Sequence, residues 1–140
     1  MMIHSIRETG LAMNPEVRFS VADRLRSFRH ALRGLWVLIQ SQHNARMHLL
    51  AAVCVIAAGV SLRLSITDWC LTALSITVVW VSEALNTAVE SLVDLASPEM
   101  HPLAGRAKDI AAGAVLLSAI GAVFVGALVF LPRVPELFSN

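Results

Sequence analysis

The sequence predicts an all-α membrane protein with an N-terminal amphipathic surface helix and three transmembrane helices that pack as a bundle. Composition is the first observation: 56% of the 140 residues are hydrophobic, 15% are charged, and the mean hydropathy is +0.69. Soluble domains carry about 25% charged residues. The second observation is that the apolar residues are concentrated in long runs. Together these features exclude an ordinary soluble globule and a disordered chain.

The charge balance argues against a nucleic-acid partner. The formal net charge is +1, and the chain has three Trp and no Tyr, so neither a basic field nor a base-stacking platform is indicated. Cys54 and Cys70 both lie in apolar surroundings. They are expected to pack, not to form a disulfide framework or a metal cluster.

The N-terminal third divides into a tail and a basic amphipathic segment. Residues 1–20 show no periodicity and are predicted to form a flexible tail, with Met13 as an alternative start and no signal peptide. Residues 21–43 have apolar side chains at spacings of three and four, with arginines between them. This pattern predicts a helix lying on an anionic membrane face, the alternative being a core helix of a soluble bundle. The membrane domain would cover 21–132, followed by a tail at 133–140.

Three spans are predicted, at about 47–63, 68–94 and 107–131. Residues 110–131 contain no charged side chain, and their length suits a bilayer core. Gly and Ala are abundant in this last segment, which favours close helix packing within a bundle or between subunits.

The distribution of basic residues predicts the orientation of the chain in the membrane. Nine of the eleven Lys and Arg residues lie before the first span or between the second and third spans. Because basic residues are enriched on the cytoplasmic side, the N-terminus and residues 95–109 are expected in the cytoplasm of an integral cytoplasmic-membrane protein.

A polar stripe interrupts the second apolar segment. Glu83, Asn86, Glu90 and Asp94 are separated by three, four and four residues. On a helix they share one face over about 17 Å, at about 1.5 Å per residue. The connecting segment brings further ionisable residues to the same end: Glu99, His101, Arg106, Lys108 and Asp109.

Charged groups near a membrane span are costly and indicate a functional role. Carboxylates, an amide and cations at a membrane surface could bind Mg²⁺, take a proton from a hydroxyl, or relay protons. The structural alternative is a solvated helix end with salt bridges, such as one from Asp94 to Arg106. That alternative suits Glu83 poorly, because Glu83 follows a long uncharged run and has no cation nearby in the helix. No P-loop or protein-kinase motif occurs.

The order of these residues resembles the signature of the prokaryotic diacylglycerol kinase and undecaprenol kinase family. The pattern E-x-x-N-[ST]-A-x-E-x-x-x-D is matched by Glu83, Asn86, Thr87, Ala88, Glu90 and Asp94. The following H-x-x-x-x-x-A-K-D pattern is matched by His101, Ala107, Lys108 and Asp109. Two further motifs are similar to the family: Ser27, Phe28, Ala31 and Gly34, and then Asn44 and His48. The resemblance covers about residues 23–132.

The resemblance implies a small trimeric inner-membrane enzyme whose active sites lie between subunits at the cytoplasmic interface. It implies that ATP and Mg²⁺ are used, and that the γ-phosphate is transferred directly, in line, to a lipid alcohol. The acceptor would be diacylglycerol or undecaprenol, and the segment from Ser97 to Val115 looks more like the undecaprenol kinase branch.

The resemblance also implies roles for individual residues. Glu83 would be the catalytic base and would contact the lipid, together with Ser27 and Ala31. Glu90 would hold Mg²⁺. The ATP-binding residues would be Asn86, Glu90, Glu99, His101, Lys108, Asp109, His30 and Gln42.

One position departs from the family pattern. The family often has a second metal carboxylate where this chain has Gln42, whose amide can offer a carbonyl oxygen without a negative charge. One Mg²⁺ in place of two is therefore expected. Two other functions stay open: a catalytically inactive membrane scaffold, and a proton- or ion-handling subunit that uses Glu83 as the carrier.

Overall fold

The computed structural model describes residues 20–99 and 101–134, and every regular element in these ranges is helical. Of the two predicted tails, only Ser20, Arg133 and Val134 fall within the described residues. The elements are α1 (Val21–Ser41), α2 (His43–Ser61), α3 (Ile66–Ala96), α4 (Pro102–Phe130) and a final 3₁₀ turn (Leu131–Arg133).

Three of the helices, α2, α3 and α4, are long and apolar enough to cross a membrane. The prediction of an all-helical protein with three membrane spans is therefore confirmed. At 31 residues, α3 is about 46 Å long, which exceeds the hydrocarbon thickness of about 30 Å. One end of α3 must therefore project beyond the bilayer core.

All three candidate spans begin earlier in the chain than the predicted spans, and side-chain caps explain this for α3, capped by Ser65, and for α4. The fourth helix starts at Pro102, not near residue 107, because Pro102 occupies its first turn and His101 Nδ1 accepts a hydrogen bond of 3.2 Å from the Leu103 amide. The second helix starts at His43, not 47, because only Gln42 is extended between α1 and α2 (φ −107°, ψ 123°).

The junction between α1 and α2 is held by Arg46. Its guanidinium donates hydrogen bonds to the carbonyl oxygens of Ile39 (3.1 Å) and Gln40 (3.0 Å). These carbonyls belong to the last turn of α1, where the helix itself supplies no donors. A side chain of α2 therefore stabilises the end of α1 and restrains the angle between the two helices.

The turn between α2 and α3 is a Schellman motif. The Leu64 amide donates to the Gly59 carbonyl (3.1 Å), and the Arg63 amide donates to the Val60 carbonyl (3.2 Å). Arg63 has φ 51°, in the left-handed region that favours glycine. A methyl group added at Gly59 would lie 2.9 Å from both Leu64 and Trp69, so the close packing there requires glycine.

The most extensive helix packing joins α3 to α4. Val79, Val115 and Val129 are buried, while much of the remaining apolar surface of the spans is exposed, as expected of helices that face lipid. An ion pair from Arg133 to Asp68 joins the end of α4 to the start of α3. Asp68 also accepts a hydrogen bond of 2.5 Å from the Ser65 hydroxyl. This hairpin carries the polar stripe.

Replacing Arg63 with glycine should stabilise the protein. The left-handed conformation costs an L-residue roughly 1–2 kcal/mol, part of which is offset because glycine gains more freedom on unfolding. We expect Arg63→Gly to raise the free energy of unfolding by about 1 kcal/mol, measured by thermal unfolding in detergent micelles. Arg63→Ala removes the same charge but retains the strain, so equal stabilisation by both variants would refute this explanation.

Candidate active site

Three residues of the polar stripe face a cavity between α2, α3 and α4. The cavity has a volume of about 330 Å³ and is called here the Glu83 cavity. Its lining consists of Asn44, Met47, His48, Glu83, Asn86, Glu90, Ala112, Val115, Leu116 and Ala119. Of these residues none is Lys or Arg, so the carboxylates of the cavity have no permanent cation beside them.

Glu83 is the most deeply buried polar residue that the structure describes, with 1% of its surface exposed. Its Oε2 atom has no hydrogen-bond partner among the described residues. Burial of a polar atom without a partner costs about 1–3 kcal/mol, and native proteins keep few such atoms. An unpartnered carboxylate oxygen in a membrane-spanning helix is therefore a candidate for chemistry.

Asn86 and Glu90 lie one and two turns further along the same face. The Asn86 side-chain amide donates a hydrogen bond of 3.1 Å to Glu90 Oε1, which fixes the orientation of both groups. The Asn86 Oδ1 atom is buried and has no hydrogen-bond partner among the described residues. This arrangement presents one carboxylate and one amide oxygen to the cavity.

These oxygens fit Mg²⁺ held together with phosphates, not a protein-only metal cage. Within residues 20–99 and 101–134, no three or more His, Cys, Asp or Glu side chains converge on one point. Mg²⁺ typically takes one or two protein carboxylates and completes its octahedron with water and substrate phosphates. The donor set on α3 matches that requirement.

A second cavity, of about 450 Å³, lies where α3 turns into α4 and is called here the turn cavity. Its polar lining comprises Asp94, Ser97, Glu99, His101 and Lys108. Here the salt bridge of Asp94 is made by Lys108, with an Nζ–Oδ1 distance of 2.5 Å. Arg106 is not the partner. It precedes Lys108 by two positions, which is a rotation of about 200° around the helix, so Arg106 lies on another face of α4.

Other residues in the predicted site are not brought to either cavity within one chain. Asp109 is exposed and lines neither cavity. The α1 residues Ser27, His30 and Ala31 are also exposed and line neither. Gln42, in the break between α1 and α2, is half-buried but lines neither.

Asn44 and His48 line the Glu83 cavity although no site role was predicted for them. They are four residues apart and therefore share one face of α2. His48 lines the same cavity as Glu83. The N-x-x-x-H spacing was the available signal, but only the packing of α2 on α3 shows which of its faces meets Glu83.

An apolar cavity of about 260 Å³ adjoins the Glu83 cavity. The two share His48 and Ala119 in their linings. The apolar cavity continues between the spans past Val79 and Trp80 to Phe130. A buried carboxylate therefore lies beside space that suits hydrocarbon.

The chain was compared with protein families and with characterised proteins. The family model for prokaryotic diacylglycerol kinase matches residues 29–130. The chain belongs to this family. It is a lipid kinase, and the resemblance predicted from the Glu83 to Asp109 motifs is confirmed.

Individual relatives of the prokaryotic diacylglycerol kinase family support this assignment. Undecaprenol kinase of Bacillus subtilis is 43% identical over 108 residues, which cover 77% of this chain and 88% of that protein. Diacylglycerol kinase of Synechocystis is 46% identical over 112 residues, covering 79% of this chain and 64% of that protein. Diacylglycerol kinase of Escherichia coli is 47% identical over 49 residues, which cover 35% of this chain and 40% of that protein.

In this diacylglycerol kinase family member, both polar cavities lie inside the matched region. The Glu83 cavity is lined from α2, α3 and α4, and the turn cavity from the α3–α4 connection. They are linked by the stripe on α3, since Glu90 lines the first and Asp94 the second. The stripe thus leads from a buried carboxylate to the only Lys that the structure describes.

Removal of the Glu83 carboxylate should stabilise the fold. Glu83→Met keeps a similar volume and removes the unpartnered Oε2, so the free energy of unfolding should rise by about 1–3 kcal/mol. Thermal unfolding in detergent measures this change. Glu99→Met is the control, because an exposed side chain should change stability by less than about 0.5 kcal/mol. A destabilised Glu83→Met protein would mean that Glu83 makes stabilising contacts.

Proposed function

We propose that this protein transfers the γ-phosphate of ATP, with Mg²⁺, to the hydroxyl group of a membrane lipid alcohol. The acceptor is diacylglycerol or undecaprenol, and transfer occurs at the cytoplasmic face of the membrane. One observation carries the proposal: Glu83 is buried in a membrane-spanning helix with an unpartnered Oε2 atom, in a cavity shared with Asn86 and Glu90.

Glu83 acts as the general base. Its carboxylate accepts the proton of the lipid hydroxyl while the lipid oxygen forms a bond to the γ-phosphorus and the bond to the ADP oxygen breaks. The transfer is direct and in line, so positioning and charge neutralisation provide most of the catalysis. The free Oε2 atom supports this role, because a base must have an oxygen available for the incoming proton.

Glu90 would hold Mg²⁺, and the buried amide oxygen of Asn86 would offer a second oxygen donor on the same helix face. When bound, the ion neutralises phosphate charge and orients the transferred group. Gln42 adds at most a carbonyl oxygen, so one ion is expected. The Asn86–Glu90 hydrogen bond keeps both oxygen donors in place for this task.

The turn cavity receives the nucleotide. Lys108 is a compact charge suited to phosphate, and Glu99 and His101 contact the rest of ATP. Asp109 follows Lys108 in the chain but lines neither cavity, so its contact with ATP requires the assembled oligomer. The α1 residues Ser27 and Ala31 contact the lipid, while His30 and Gln42 contact the nucleotide. Because these four residues line neither cavity in one chain, we infer that they reach the site in the assembled oligomer.

The assembled form is a homotrimer with active sites shared between subunits. Only a small share of each candidate span is buried within one chain. A methyl group added at Gly113 or Gly121 would contact no other element among the described residues, so the packing described within one chain does not require these glycines. Small residues on exposed helix faces allow another helix to approach closely, which supports the assembly.

The N-terminus lies in the cytoplasm, and α1 lies on that face of the membrane. Phe28, Leu32 and Trp36 are all exposed on α1, which leaves its apolar side available to lipid. The Asp68–Arg133 pair then lies at the opposite end of the bundle, outside the cytoplasm. This orientation also puts the turn cavity on the side where ATP is present.

Phosphate transfer to lipid tests the proposal directly. We expect purified protein in detergent micelles, with ATP and Mg²⁺, to phosphorylate diacylglycerol or undecaprenol, each offered separately. Because a positioned general base contributes about 10²–10⁴-fold, Glu83→Gln should lower the rate at least 100-fold. Labelled γ-phosphate entering lipid is the measurement, and size-exclusion chromatography checks the oligomer. Ser91→Ala, an exposed change on the same helix, is the activity control.

Two results would contradict this function. Full activity of Glu83→Gln would exclude Glu83 as the base. If neither lipid were phosphorylated, the scaffold and ion-handling alternatives would gain support. Proton flux in proteoliposomes that depends on Glu83 but not on Lys108 would favour ion handling.

Gln42→Glu should reduce the Mg²⁺ concentration needed for half-maximal activity. A carboxylate at this junction adds a charged oxygen ligand, and Mg²⁺ affinity rises with ligand charge. The measurement is lipid phosphorylation across a Mg²⁺ titration. Gln40→Glu adds the same charge two residues earlier, on the exposed surface of α1. An unchanged Mg²⁺ requirement in Gln42→Glu would show that position 42 lies away from the metal.

A further inference from the structure

The ion pair between Asp94 and Lys108 closes the cytoplasmic end of the α3–α4 hairpin. Asp94 lies in the last turn of α3 and Lys108 in the second turn of α4, with Nζ and Oδ1 2.5 Å apart. Both side chains line the turn cavity. The group expected to neutralise phosphate is therefore bound to a carboxylate of the same chain.

The local charge makes this contact consequential. The lining of the turn cavity contains two carboxylates, Asp94 and Glu99, against one permanent cation, Lys108. A polyphosphate that enters meets this excess of negative charge, and the one ammonium that could contact it is already paired with Asp94. A phosphate oxygen and the Asp94 carboxylate therefore compete for the Lys108 ammonium.

We propose that Asp94 competes with the nucleotide for Lys108. The nucleotide phosphates displace Asp94 from the Lys108 ammonium on binding, and the Asp94–Lys108 ion pair forms again when ADP leaves. This inference rests on the proposed function, because it assigns phosphate to Lys108. Asp94 is then a positioning residue that tunes nucleotide affinity, and it contacts neither the lipid nor the transferred phosphate.

The solvent exposure of Asp94 and Lys108 favours the replacement of Asp94 by phosphate as the partner of Lys108. The Asp94 side chain is 67% exposed and that of Lys108 is 37% exposed, so water solvates the carboxylate as soon as the ammonium leaves. Exposed ion pairs contribute little stability, so the free energy lost when a more highly charged phosphate replaces Asp94 is correspondingly small. The same competition weakens ADP binding and so hastens its release.

A different arrangement would have the opposite consequence. An ammonium has three donors and could bind Asp94 and a phosphate together. Asp94 would then orient Lys108 in the complex, and loss of the carboxylate would weaken nucleotide binding. The two arrangements thus differ in the sign of the effect of Asp94→Asn.

Isothermal titration calorimetry of nucleotide binding to the full-length protein, in detergent with Mg²⁺, distinguishes the two arrangements. For a non-hydrolysable ATP analogue and for ADP, Asp94→Asn should tighten binding by about two- to fivefold, the range expected for release of an exposed ion pair. Asp23→Asn is the matched control: it also removes a carboxylate that is 67% exposed and paired with a basic side chain, here Arg26. That control should leave both affinities unchanged.

A double-mutant cycle completes the test. In a Lys108→Met background, Asp94→Asn should produce no gain, because no ammonium remains to be released. Equal gains in both backgrounds would indicate general charge repulsion and overturn the exchange, as would weaker binding by Asp94→Asn alone. A wild-type protein that binds no nucleotide would instead contradict the proposed function itself. Thermal unfolding of each variant verifies that the fold is retained.

Discussion

The burial of a carboxylate inside a membrane-spanning helix is the constraint on which the rest of the site depends. Glu83 is almost wholly removed from solvent, and its Oε2 atom has no partner among the described residues. Such an atom costs stability, so the packing of α2 and α4 around α3 must compensate for it. The same packing creates the cavity that gives the carboxylate access to a reactant. Burial of the Glu83 carboxylate thus both lowers the stability of the fold and places the carboxylate beside the cavity.

The length of α3 connects this buried group to the aqueous side. With 31 residues, the helix exceeds the hydrocarbon thickness, so one continuous face carries both a buried carboxylate and groups exposed to water. Exposure rises along the stripe, from buried Glu83 and Asn86 through half-buried Glu90 to exposed Asp94. A rigid helix holds these four groups at fixed spacing, which suits a reaction between a lipid in the bilayer and a nucleotide in solution.

Periodicity and run length predicted the helices and the stripe, because those properties are local to the chain. Helix ends were predicted less well: His101 and Pro102 start α4 earlier through a cap that depends on one side-chain rotamer. Asn44 and His48 illustrate a different limit, since their place beside Glu83 depends on how α2 rotates against α3. Ser27, His30 and Ala31 line neither cavity in the single-chain fold, so the roles proposed for them would require contacts beyond one chain.

The charges that line the two cavities determine which reactants they can accept. The Glu83 cavity contains two carboxylates and, among its lining residues, no Lys or Arg, whereas the turn cavity holds Lys108 already neutralised by Asp94. A triphosphate brought without a cation would be repelled along the whole stripe. A lipid hydroxyl would not be repelled, because it is uncharged and would arrive through the apolar cavity past Val79 and Trp80. In the proposed function, the acidic stripe would therefore admit a neutral alcohol from the membrane and would require that phosphate arrive with its own divalent cation.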